Sequence, residues 1–145
     1  MYLERKEDLS VYYFLKDKFP TIQIEDGYPN REITTPLISV EAGRIDLRQF
    51  EIGNRDSLRV RKWFIEIYAN NKSQRDEFGY RLLEDIKDGI TVYDYDQGFP
   101  PAVVPNIGHL QILSVSFTPI RIVPELVEKM YYRATLSFVA QNEIV

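Results

Sequence analysis

The chain of 145 residues contains no cysteine and one histidine. Without cysteine there can be no disulfide, no thiolate metal site and no cysteine nucleophile. The lone His109 follows Gly108 with no serine or second histidine to complete a catalytic or metal constellation, so it is read as a loop or strand-edge residue. No apolar run approaches the roughly 18–20 residues that a membrane-spanning helix needs. The opening MYLERKEDLS is charged and lacks the following apolar stretch of a signal peptide, so none is expected and no membrane partner is implied. Glycine-rich phosphate loops are missing as well: GYPN and GNRD hold one glycine each, with no Lys-Ser or Lys-Thr after them. Neither an internal repeat nor a low-complexity tract is visible.

What is present suits a globule. Apolar residues make up 44% and charged residues 28%, and Tyr and Phe supply 18 positions, which argues against disorder. The length fits a single domain over residues 1–145, enough to bury about two-thirds of its unfolded surface. The formal charge is −4. Its distribution is uneven. Between Arg44 and Lys62, six cations (Arg44, Arg48, Arg55, Arg59, Arg61, Lys62) face three anions (Asp46, Glu51, Asp56), leaving −7 for the remainder. Net acidity argues against general nucleic-acid binding.

Periodicity predicts a helix over 8–19, stopped by Pro20, with Val11, Phe14, Leu15 and Lys18 on one face. IEDGYPNRE reads as a turn-rich connector in which Glu25 and Asp26 are turn residues. A strand is expected over 36–42, a bend at Gly43, and a half-buried strand carrying Ile45 and Leu47. Gly53-Asn54 supplies a turn, and the returning strand shows a change of phase. Leu58 and Val60 are apolar on even positions, Trp63, Ile65 and Ile67 on odd ones. One strand keeps both sets on one face only with a bulge; otherwise its first half leaves the body. The second alternative is preferred, giving a projecting β-hairpin over 44–62.

Asn71 and Ser73 are good N-caps for a helix over 74–88, with Phe78, Leu82, Leu83 and Ile86 as its stripe, Gly79 beside it for close approach to a sheet, and Gly89 just past its end. A short strand over 90–95, a Pro-rich loop and two long strands follow. Their expected inward sets are Leu113, Val115 and Phe117, then Tyr132, Ala134, Leu136, Phe138 and Ala140. PELVEK between them is a candidate helical turn. The fold class is α+β: a mostly antiparallel sheet packed against a central helix and an N-terminal helix.

Two constellations invite chemistry. Asp94 and Asp96 could share a divalent cation, but no third member completes a nuclease site. Arg59, Arg61 and Trp63 on one strand face suggest single-stranded nucleic acid. The competing reading makes Trp63 a core anchor and pairs the arginines with a neighbouring subunit. No catalytic, metal or cofactor site is expected, and the chain is not expected to be an enzyme. The expected interface residues are Arg44, Arg48, Phe50, Arg55, Leu58, Arg59, Val60 and Arg61.

The helix ending in FP, the PLISVE strand, the hairpin, FIEIYANNKSQRDEFGYRLLEDIKDGI and the final YYRATLSF strand together resemble the tail terminator and tail-completion proteins of tailed bacteriophages. The sharpest local match is the strand-to-helix stretch from Phe64 to Arg75. The resemblance implies a structural virion protein, assembled in the host cytoplasm, that forms a homo-oligomeric ring, expected to be a hexamer, at the head-proximal end of the tail. Such a ring ends tail-tube polymerisation and joins tail to head. The implied partners are other copies of the chain, a tail tube or sheath protein and a neck or connector protein, with DNA passing through the ring without sequence-specific binding. The alternatives are a neck or connector ring protein, a nucleic-acid-binding module and a metal-dependent nuclease.

Overall fold

The computed structural model describes residues 1–27, 33–49, 57–120 and 132–144. In chain order these form helix α1 (Leu3–Lys18), strands β1 (Gln23–Asp26), β2 (Leu37–Gln49) and β3 (Ser57–Ala69), helix α2 (Lys72–Ile86), and strands β4 (Ile90–Tyr93), β5 (Asn106–Pro119) and β6 (Tyr132–Ile144), with a 3-10 turn at Tyr95–Gln97. The six strands make one sheet in the order β1-β2-β3-β6-β5-β4.

The sheet is mixed, which corrects the expectation of a mostly antiparallel one: β1 runs parallel to β2. That edge strand lies inside the stretch read as a connector, because four residues with only Ile24 buried carry almost no periodic signal. The helices divide the sheet between them. Helix α1 packs on β1, β2 and β4 and reaches β3 through side chains, while α2 packs on β3, β5 and β6, so both helices share the cover of the sheet. Because β1 and β4 are the two edges of the sheet, contact of α1 with both means that the sheet curls around it.

Helix α1 begins five residues before the predicted start. The amides of Arg5 and Lys6 both donate to the Tyr2 carbonyl, and the run Glu-Arg-Lys-Glu is made of strong helix formers. Its inward stripe is Glu7, Val11 and Leu15 at a spacing of four, all buried. Helix α2 is capped by Asn71, whose side chain accepts from the Gln74 amide at 2.8 Å. Leu82 and Ile86 are buried. Gly79 is required there, since a Cβ would lie 2.2 Å from the Phe117 ring on β5. Gly89 follows with φ of +84°, a conformation that L side chains rarely adopt.

The phase change resolves differently from either alternative. Strand β3 keeps its odd positions inward throughout, and Arg61, Trp63, Ile65 and Ile67 are all buried. The bulge lies in its partner: Ala42 is opposite Trp63 and Ile45 opposite Arg61, so Gly43 and Arg44 together face Lys62. A bulge of this kind adds one residue and re-aims the strand. Gly43 is therefore no bend that ends a strand. Val60 to Lys62 pair with Gln141 to Val139 on β6, so this end of the expected projection belongs to the sheet. The expected turn at Gly53-Asn54 and the PELVEK turn lie outside the described residues.

Two further inward assignments fail. Strand β5 bulges between Ile112 and Ser114, which turns Leu113 out to 51% exposure, whereas Val115 and Phe117 do pack against the core. On β6, Ala134, Leu136, Phe138 and Ala140 are buried, but Tyr132, the first residue of the strand, is exposed.

Candidate functional site

The basic segment folds back on its own chain. Arg59 and Arg61 project from β3 onto the acidic first half of α1. Arg59 Nη2 lies 3.1 Å from both Glu4 Oε1 and Glu7 Oε1. Arg61 Nη1 lies 3.2 Å from Glu7 Oε1 and donates to the Glu4 carbonyl at 2.9 Å, and its Nη2 lies 3.0 Å from Asp8 Oδ1. Arg61 also stands 4.7 Å over the Trp63 ring, whose Nε1 donates to Asp8 Oδ1 at 2.9 Å. Trp63 in turn stacks on Phe138. Glu7 is 1% exposed and Arg61 3%.

This cluster carries a buried surplus of hydrogen-bonding capacity. Among the described residues, Glu7 Oε2, Arg61 Nε and both amide atoms of Asn142 have no hydrogen-bond partner. Asn142 stands close enough to Glu7 to favour its charged form, but not in hydrogen-bonding geometry. Burial pushes the Glu7 carboxyl above the usual carboxylate range, against the pull of Arg59 and Arg61. Removing two ions from water is costly, so the Coulombic gain is largely offset, and the main effect of such a pair is to fix a geometry. Here it fixes α1 against β3.

Of the expected interface residues, Arg59 and Arg61 are thus committed within the chain, which corrects the pairing expected with a neighbouring subunit. The nucleic-acid face of Arg59, Arg61 and Trp63 is corrected for the same reason, because it is turned inward. Val60 lies half-buried on the opposite face of the sheet. Arg44 sits at the β2 bulge, exposed, with Nε 2.8 Å from Asp46 Oδ1. The backbones of Arg48 and Leu58 pair with one another in the ladder. Their side chains, with Phe50 and Arg55, lie outside the described residues.

A second polar cluster joins α1 to the end of β4. Lys6 Nζ lies 2.8 Å from Asp94 Oδ1 and 2.9 Å from Asp96 Oδ2, and the Met1 ammonium lies 3.2 Å from Asp96 Oδ1. Lys6 holds both carboxyls below their usual range, and they raise its ammonium in return. The two aspartates considered for a metal are therefore neutralised by cations. Among the described residues, no group of three or more His, Asp or Glu side chains is placed to hold a metal ion. Ser10 Oγ donates to the Lys6 carbonyl at 2.7 Å and accepts from the Tyr93 amide at 3.2 Å, so its hydroxyl stitches helix to strand. His109 Nε2 donates to the Asp88 carbonyl at 3.0 Å. Lying between Thr91 on β4 and Glu143 on β6, it is inside the sheet, not at its edge. Glu25 and Asp26 lie in β1, and Asp26 pairs with Arg5 at 2.9 Å.

An open cavity of about 510 Å³ lies between α1 and the Pro-rich loop, with Tyr13, Phe14, Tyr93, Tyr95 and Val104 among its lining. Tyr13, Tyr95 and Phe99 stack in series there. The lining offers apolar surface, the hydroxyl-bearing Ser10, Tyr13, Tyr93 and Tyr95, and the charged Asp17 and Lys18. Comparison of the chain with protein-family models and with curated proteins finds no match.

Proposed function

We propose that the chain is a structural subunit of a homo-oligomeric ring at the head-proximal end of a phage tail, ending tube polymerisation and joining tail to head. The observation that carries this reading is the set of large apolar side chains left exposed on a well-packed body. Tyr80, Phe99, Val103, Leu113 and Tyr132 are all exposed, while two of the cations expected to face a partner, Arg59 and Arg61, are spent inside the fold. Aromatic and aliphatic anchors of this kind supply most of the energy of a protein interface, and ion pairs at its rim chiefly set orientation. The resemblance of the strand-to-helix stretch from Phe64 to Arg75 supports the assignment to tail terminators, and the acidic balance of the chain suits a ring through which DNA must pass without sticking.

The purified chain should run as a closed oligomer by native mass spectrometry and appear as rings in negative stain. Added to tails lacking their terminator, it should stop over-long tubes from forming. A monomer at every concentration, with no effect on tube length, would refute the proposal.

A further inference from the structure

The curled sheet is open at two diagonal corners. Strand β1 pairs with β2 only as far as Val40, so among the described residues 41–49 of β2 have a strand partner, β3, on one side only. At the other edge the first residue of β4 pairs with Leu110, and among the described residues 111–119 of β5 have β6 as their one strand partner. The two free stretches are of equal length. Each carries an exposed large apolar residue, Ile45 at 41% and Leu113 at 51%.

Their chemistry differs. The free stretch of β5, Gln-Ile-Leu-Ser-Val-Ser-Phe-Thr-Pro, has no charged residue, whereas that of β2 carries Glu41, Arg44, Asp46 and Arg48. Exposed edges are ordinarily blunted by charge, bulges or cover, because each unpaired amide and carbonyl is a template for another strand. The β5 edge lacks the charges and has its bulge at one end, leaving 114–119 regular. Such an edge is built to be covered.

We infer that 111–119 of β5 pairs with 41–49 of β2 from a second copy of this chain, continuing the sheet from subunit to subunit. Strand directions permit it: β2 runs parallel to β6 and therefore antiparallel to β5. Two copies in the same orientation would then form an antiparallel ladder with their inward faces on the same side. The contact is head-to-tail, which is the kind that closes into a ring when its rotation closes. This inference rests on the ring reading above and supplies its contact. A symmetric β5-to-β5 pairing would instead close at two copies and leave every β2 edge open.

The absence of native cysteine makes the test clean. Ser114→Cys and Ser116→Cys on β5 are combined, one at a time, with Arg44→Cys or Asp46→Cys on β2, and the proteins are oxidised and run without reductant. The expected result is a ladder of covalent multimers from the double variants, lost on reduction, with the single variants remaining monomeric on the gel. Circular dichroism melts confirm that each variant is folded. Covalent dimers from a β5 cysteine alone would overturn the inference in favour of the symmetric pairing. Native mass spectrometry showing a closed oligomer, with no cross-link in any double variant, would overturn the strand contact while leaving the ring reading intact. A monomer throughout would overturn both.

Discussion

Replacing Arg61 by Met isolates the buried ion pair. The change keeps a long unbranched side chain but leaves the carboxyl of Glu7, 1% exposed, without its fully buried counter-charge. Breaking a buried pair by removing one partner typically costs about 3–5 kcal/mol. Arg59 still lies 3.1 Å from Glu7, so the loss should fall near the lower end, about 3 kcal/mol. The double variant Glu7→Leu/Arg61→Met removes both charges and should recover most of that loss, because well-packed apolar residues can replace a buried pair at little cost. The measurement is urea unfolding of wild type, both single variants and the double, read as a double-mutant cycle. There is also a pH signature. The folded state raises the Glu7 carboxyl above its unfolded value, so it binds a proton more tightly than the unfolded chain does. Its contribution to stability therefore falls as pH rises from the ordinary carboxylate value, 4.5, through the raised one. Glu7→Gln should abolish that part of the profile. A loss below about 1 kcal/mol, or single-variant effects that simply add, would show that the pair does not hold α1 to β3.

Leu82→Ala should cost about 2–5 kcal/mol in the same melts, since Leu82 is completely buried. Asn71→Ala should remove the cap of α2 and cost about 1 kcal/mol, with Asn71→Asp nearly neutral. Gly79→Ala should destabilise even though alanine favours helix, because the new Cβ meets the Phe117 ring; a stabilised Gly79→Ala protein would mean that α2 does not sit so close to β5. The Lys6 cluster should contribute above the usual aspartate value and lose that contribution as pH falls below 3.8, and its lysine component should fade as pH rises beyond 10.5. Lys6→Met should flatten both limbs of a thermal-melt profile.

The helices and long strands were legible because their apolar spacing is long enough to carry a period: Leu82 and Ile86 on α2, Trp63 to Ile67 on β3, Ala134 to Ala140 on β6. The four-residue strand β1 was not, being too short for any period. The bulges were invisible for a different reason. A bulge shifts register by one residue, and the extra residue in β2 leaves no mark in the apolar pattern; the apparent break in β3 has another origin, since Arg59 and Arg61 hold the inward odd positions and Val60 lies on the opposite face. The buried cluster could have been found by one extension of pattern. Glu7, Val11 and Leu15 share a spacing of four, and Arg61 continues the odd positions of Trp63 and Ile65. A charged residue in phase with a core stripe on each of two elements, with opposite signs, points to a buried pair. Charge read as surface by default sent Arg59 and Arg61 to an interface instead.

The way α1 closes the curled sheet has a consequence for the order in which the chain can fold during synthesis. The helix is made well before its partners: Arg61 and Trp63 for Glu7 and Asp8, and the Tyr93 amide for Ser10, 83 residues on. A lone helix of this length is only marginally stable in water. Its apolar stripe and its buried carboxylate therefore have no resting place until most of the chain has emerged, and contacts of such sequence separation slow folding. The helix therefore reaches its final seat only after β4 has been made, and the two edges of the sheet that it bridges come together no earlier than that.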